Sequence, residues 1–304
     1  MATMSEIRSL DEVDYKLKIK IPIIIGITLL VFIGAFSLSY PINEKLKTFI
    51  KTQLKVSGCQ VEFNDIDAEI FLPKIVVSDI SIPAHCLGKT GENLKLNYLK
   101  INWHIIHFFP FGIPLRLDTE YSGQPISLYF VQGINQQLIR LKDQKFALHR
   151  FDKMLGKFKL AGNITVDLNL LSSEKKIKNL SLKAVSSDFS IPSQNLEGFT
   201  LPNMKIKDFY LEANSENHPK IQIDKLIIGN TQSPIRANFK GKLDYIKENI
   251  SFSPLNLNGE IAFSSELKES IPLLELIFQS FNQKDGFYQI RLGGTLGSPK
   301  PLSL

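Results

Sequence analysis

No stretch of this 304-residue chain gathers its lysines and arginines into a dense cluster, which removes nucleic acid from the expected partners. The net charge of +6 comes from 36 basic and 30 acidic residues. Residues 1–40 balance four bases (Arg8, Lys16, Lys18, Lys20) against four acids (Glu6, Asp11, Glu12, Asp14), so the excess is spread beyond them. Such a spread supports only mild attraction to an anionic membrane surface. Compositional bias is missing as well: 43% hydrophobic and 22% charged residues exclude disordered, collagen-like and disulfide-scaffold classes. The two cysteines, Cys59 and Cys86, form no C-x-x-C, so neither a redox nor a zinc motif is present. No linker rich in Pro, Gly or Ser divides the chain, and one continuous domain is expected.

Catalytic constellations are lacking too. Gly88-Lys89-Thr90 imitates the end of a phosphate-binding loop, but Pro83 stands where its first glycine must be. Gly293-Gly294 and Gly297 imitate a dinucleotide fingerprint, with Leu292 in its first position. No G-x-S-x-G elbow occurs. His104 and His107 sit in an apolar stretch without an acidic neighbour, and a metal site needs further ligands and a supporting shell. The expectation is a protein that is not an enzyme, with no catalytic residue, no cofactor and no metal.

What is present begins with Ile21 to Tyr40, twenty residues without a charge. As a helix they span roughly 30 Å, the thickness of bilayer hydrocarbon. A polar tail precedes a run longer than the apolar part of most signal peptides, so an uncleaved anchor is expected and a cleaved signal peptide is the alternative. Lys16, Lys18 and Lys20 flank it on one side and Lys45, Lys47, Lys51 and Lys55 on the other. The nearer cluster places residues 1–20 in the cytoplasm and 41–304 outside. Cys59 and Cys86 then face an oxidising compartment where they can pair, two separate buried thiols being the alternative.

Residues 41–56 read as an amphipathic helix, with Ile42, Leu46, Phe49, Ile50 and Leu54 at helical spacing. Apolar helix faces ordinarily pack on their own domain, so it is expected to cap that domain, with lying on lipid headgroups as the alternative. From Cys59 the period becomes 2. Val61 and Phe63, then Leu99, Ile101 and Trp103 alternate; Phe158 to Leu170 alternates without a break over thirteen residues. So do Ile235 to Leu243 and Leu255 to Phe263. Strict alternation gives each strand one apolar and one polar face. The fold class is therefore mainly β, an antiparallel sheet of many strands, with one further helix expected over 272–283. The apolar face must be covered. Two packed sheets, a closed barrel, or a strongly curved sheet holding lipid chains would each do so.

Three stretches carry a family resemblance. A tail, a span and a Pro-led helix precede Ser57-Gly58-Cys59-Gln60-Val61-Glu62-Phe63. Leu94 to Tyr129 follows, with Leu99-Lys100-Ile101-Asn102-Trp103-His104-Ile105-Ile106 at its middle. The chain closes on Asp285-Gly286-Phe287-Tyr288-Gln289-Ile290-Arg291-Leu292-Gly293-Gly294-Thr295-Leu296-Gly297-Ser298-Pro299-Lys300-Pro301. Over about 20–130 and 265–304 this resembles the GspN proteins of the type II secretion system, of the spirochaete and deltaproteobacterial kind, which are related to the AsmA-like proteins of Gram-negative envelopes.

The resemblance implies a single-pass inner-membrane anchor, a periplasmic domain built on a long curved sheet, and contacts with other secretion components as an accessory or assembly protein. The AsmA-like relation implies the alternative, a lipid-binding or lipid-transfer protein acting between the two membranes. In that reading phospholipid acyl chains lie against Phe158, Leu160, Ile164, Val166, Leu168, Phe239, Ile261 and Phe263. Trp103, Phe108, Phe109 and Phe111 make an aromatic stretch denser than the family pattern, and are expected to touch membrane or a partner, burial under the sheet being the alternative.

Overall fold

Strand follows strand along the chain, and nearly every one pairs with its predecessor. The computed structural model describes residues 44–45, 47–50, 52, 60–69, 74–87, 93–103, 112–152, 158–173, 176–196, 199–216, 220–246 and 250–303. The expected cytoplasmic tail and membrane span (1–40), Cys59, Phe108, Phe109 and Phe111 lie outside these residues. No described helix is long and apolar enough to cross a membrane. The strands are β1 (Asp65–Glu69), β2 (Lys74–Ile82), β3 (Leu94–Trp103), β4 (Gly112–Tyr121), β5 (Gln124–Gly133), β6 (Gln136–Ala147), β7 (Asn163–Ser173) and β8 (Lys176–Ile191). After the small hairpin β9 (Gln194–Leu196) and β10 (Phe199–Leu201) come β11 (Met204–Glu216), β12 (Lys220–Ile228), β13 (Ile235–Asp244) and β14 (Leu255–Phe263). The last are β15 (Gln283–Lys284), β16 (Phe287–Thr295) and β17 (Ser298–Ser303). One 15-stranded antiparallel sheet results, in the order β1 to β8, then β11 to β14, β16 and β15, with β17 also on β16.

The alternation read from the sequence does build these strands, but it changes phase inside several of them. Val77 and Ile80 of β2 join one apolar cluster although they are three apart, and Asp79 between them has φ 51°. In β6, Leu141 opposes Leu168 and Gln144 opposes Val166, with Asp143 at φ 48° in the irregularity. In β11, Phe209 and the buried Ile206 are three apart across Lys207, at φ 66°. At Asp143 and Lys207 the pairing register shifts, so the extra residue is a β-bulge that restores the apolar side chains to one face, whereas at Asp79 the register with β3 is unbroken and only the backbone angle departs. Aspartate tolerates the left-handed region better than most residues, which suits it to two of these positions.

The run from Phe158 to Leu170 is not one strand. β7 starts only at Asn163, because Gly162 turns the chain at φ 102° and a Cβ there would lie 2.4 Å from the Asp188 carbonyl oxygen. The Asn163 backbone N–H and side-chain amide both donate to the Asp188 carboxylate, at 2.8 and 2.7 Å, and the Ser186 hydroxyl donates at 3.1 Å. The Asn163 backbone hydrogen bond above all holds the Asp188 carboxyl below the usual carboxylate range. Gly241 marks another close approach: its φ is 157° and a Cβ would meet the Asn256 carbonyl oxygen at 2.1 Å.

Helices cap the two ends of the sheet. Residues 44–52 contain helix α1, whose Ile50 packs with Val61, Phe63, Ile66, Val77 and Ile80. Its Lys47 ammonium donates to the Asn64 carbonyl at 2.8 Å and lies 3.6 Å from the Asp65 carboxylate. At the far end stand α2 (Ser265–Ser270) and α3 (Leu273–Phe278). The helix expected over 272–283 therefore stops at Phe278. Gln283 and Lys284 belong to β15 instead, because Asp285 (φ 49°) and Gly286 (φ 79°) form the two-residue hairpin turn that pairs Lys284 with Phe287.

Two outcomes test these local devices. Gly241→Ala is expected to lose roughly 1–3 kcal/mol in chemical denaturation, since both its backbone conformation and the neighbouring carbonyl oppose a side chain. Asp188 stabilises the fold above the carboxylate pKa of the unfolded chain, and loses this as pH falls through its lowered folded value. Asp188→Asn should therefore be less stable than wild type at pH 7, with the gap narrowing below about pH 4 in denaturation midpoints.

Candidate functional site

Residues paired across an antiparallel sheet project to the same side, so register reads out the composition of each face. One row runs Ile75, Ile101, Leu117 and Leu128 over β2 to β5. It continues as Leu141, Leu168, Leu182, Ala213, Ile223, Gly241, Leu257 and Leu292 over β6 to β16. The adjacent row carries Trp103, Leu115, Phe130, Ile139, Leu170 and Leu180. On the other side of the first lie Ile66, Val77, Leu99, Thr119 and Ile126, then Val166, Ala184, Leu211, Leu226 and Phe239. None of these residues carries a charge. The opposite face holds Arg116, Tyr129, Arg140, Asn169 and Ser181 in register.

Coverage of the apolar face is uneven. At the α1 end Ile66 is 1% exposed, within the cluster that contains Ile50. At the other end Phe239 is 3% exposed in a cluster with Phe278 of α3, and the Phe263 and Phe278 rings are 5.0 Å apart. Between the ends, Leu115, Leu117, Leu128, Phe130, Ile139, Leu141, Ile164, Val166, Leu168 and Leu170 are all half-buried. They shield one another, but no second layer of the described residues lies over them. The one local cover is the short helix Leu148–Phe151, whose Phe151 stacks near Tyr121 and Phe146 at 5.3 and 5.6 Å.

The sequence-predicted groove residues divide accordingly. Ile164, Val166 and Leu168 stand side by side on the open strip of β7. Phe239, Ile261 and Phe263 lie on the same face beneath α3, where the protein's own helix fills the space. Phe158 and Leu160 precede β7, half-buried; the Lys159 backbone N–H between them donates to the Gln194 side chain at 2.7 Å. Trp103 ends β3. Cys86, half-buried in the turn Ala84–Leu87, is disulfide-bonded. Leu115, Leu117, Leu128, Phe130, Ile139 and Leu141 were not legible as part of the strip. Leu128 and Phe130 do alternate, but Tyr129 and Val131 beside them are apolar too and blur the period.

Chemically the strip offers apolar contact. Its backbone groups are paired within the sheet, and its side chains hold no nucleophile or charge. Among the described residues no group of three or more His, Cys, Asp or Glu side chains is placed to hold a metal ion. No family model, no curated protein and no solved structure matches this chain.

An open strip and a closed core respond differently to mutation. Leu168→Glu should leave the protein folded, with a loss below about 1.5 kcal/mol, because the carboxylate stays in contact with water. Phe239→Ala, under α3, should cost roughly 3–5 kcal/mol through the cavity it leaves. Denaturation curves of the two variants check the difference.

Proposed function

We propose that this protein handles lipid, its open apolar face carrying acyl chains along a sheet tethered to the inner membrane by residues 21–40. The observation that supports this most is the uncharged, half-buried strip across β4 to β8. The five adjacent strands β4 to β8, spaced about 4.8 Å apart, make an open apolar strip roughly 20 Å long. One acyl chain reaches across about half of a 30 Å hydrocarbon layer, so the open strip is long enough for an acyl chain to lie along it. Each methylene that leaves water for it gains about 0.8 kcal/mol. A bound polypeptide would meet no free backbone donor or acceptor there, whereas an acyl chain requires none. Curvature of the sheet toward this face would wrap the chains, and the close strand approach at Gly241 suits such bending.

A second reading, an accessory component of a type II secretion machine, draws on the other end of the molecule. Residues that carry that resemblance, Asp285 to Pro301, fold as the turns and strands from the start of the β15–β16 turn into β17, where Leu296 and Leu302 are exposed. The two readings are compatible in one tethered protein.

Photo-crosslinking in cells separates them. The full chain carrying Leu168→p-benzoylphenylalanine is expected to yield adducts with the mass of phospholipid, whereas Lys183→p-benzoylphenylalanine on the polar face is not. Adducts with protein alone at position 168, or equal lipid labelling at both positions, would overturn the lipid reading.

A further inference from the structure

The polar face of the sheet carries an apolar row near one edge of its strands. Pro114, Val131, Leu138 and Leu171 follow one another in register over β4 to β7, and Asn179 of β8 ends the row. Pro114 is among the most buried residues of the chain and Val131 is 5% exposed. One step toward the strand ends, Gly112 pairs with Gly133 on this same face, so two side chains are missing where they would cover the row. A Cβ at Gly112 would lie 2.6 Å from a Val131 methyl. The gap is a cavity of about 510 Å3, bounded by Val131, Leu138 and Leu171 below and by Asn135, Arg140 and Asn169 at the rim. Asn179 also reaches it.

The rim is polar and unengaged. Among the described residues, neither the Arg140 guanidinium nor the side-chain amides of Asn135, Asn169 and Asn179 have a hydrogen-bond or ionic partner. The contrast lies in the same row: Arg116, the other guanidinium beside Tyr129, is held by Asp118 at 3.0 Å. Asp118 is further occupied by the Ser127 hydroxyl at 2.5 Å and the Asn102 amide at 3.3 Å. Asp167, two residues from Asn169 on this face, accepts from the Asp143 backbone N–H at 2.8 Å, and among the described residues no carboxylate pairs with Arg140. Its planar fork suits two oxygens of a carboxylate or phosphate, and the three amides supply donors around it. An apolar floor with a few convergent polar groups is the usual make-up of a small-molecule site of this size.

We propose that this cavity binds a small anionic amphiphile, a phosphate or carboxylate on a short apolar body, with the anion on Arg140 and the body on Val131, Leu138 and Leu171. It lies on the face opposite the apolar strip, so the proposal does not depend on the lipid reading.

The test is ligand-observed NMR with the full chain in lipid nanodiscs, using butyl phosphate, inorganic phosphate and butanol as probes. Butyl phosphate should bind at least tenfold more tightly than either of the others. Arg140→Gln should weaken it tenfold or more, with the sheet intact by circular dichroism, and Leu168→Glu should leave it unchanged. Absence of binding, equal binding of inorganic phosphate, or equal binding to Arg140→Gln would overturn the proposal. Loss in Leu168→Glu but not in Arg140→Gln would place the binding on the apolar strip, and would overturn it too. The lipid reading stands or falls separately, on crosslinks at position 168.

Discussion

A sheet satisfies its backbone through its neighbours, but it leaves two faces to be dealt with, and here only one of them is polar. The other is apolar from β2 to β16, while among the described residues helices cover its two ends and, locally, the short helix Leu148–Phe151 covers part of its middle. The remaining architecture follows from that mismatch between a long apolar surface and a short supply of helix. Bulges with left-handed aspartate or lysine keep apolar side chains on the proper side when the alternation slips. Glycines appear where neighbouring backbones come closest. Side chains of Leu, Ile and Val shield one another in the middle because nothing in the described chain is laid over them. Ordinary domains resolve the same problem with a second layer.

The division of the sheet into closed ends and an open middle explains why residues of similar chemistry take different roles. Phe239 and Leu168 both belong to apolar strands and both face the same way. One is enclosed by Phe278 and the aromatic group around it, as in any protein core. The other is half-buried, with no second layer of the described residues over it. An aliphatic surface that must stay uncovered needs its folding energy from elsewhere, and the capped clusters at α1 and α3 provide it. Charged chemistry lies on the opposite face, where among the described residues Arg140 has no ion pair, whereas Arg116 in the same row is held by Asp118.

Much of the sheet could be read from the sequence, since the period-2 pattern of β7, β13 and β14 is direct. The limits of that reading were physical. Phe158 to Leu170 alternates perfectly, yet Gly162 can adopt a backbone angle that other residues avoid, and the strand begins after it. In β6 a bulge at Asp143 moves the apolar residues from odd to even positions, so no single period describes the strand. The helix over 272–283 was shortened by a turn signal, Asp285-Gly286, that counted for less than the apolar stripe before it. The open strip was visible only as a set of apolar positions. Whether each was covered depended on α1 and α3, whose placement no local pattern reveals. The cavity at Arg140 was invisible in the same way, because Gly112 and Gly133 are 21 positions apart and become a gap only through register.

Pairing of each strand with the one before it also bears on how such a chain is made. A polypeptide that emerges N-terminus first presents β2 to β1, then β3 to β2, and so on, each new strand finding its template already in place. Most strands pair with their immediate predecessor through a short connection, so closure entropy stays small at most steps. Growth is one-dimensional, as in solenoid proteins, and the cross-section does not depend on how many strands have been added. Insertion or loss of a hairpin in the middle would alter reach by roughly 10 Å while leaving the face and its chemistry unchanged. The distance such a protein spans is therefore a quantity evolution can adjust two strands at a time.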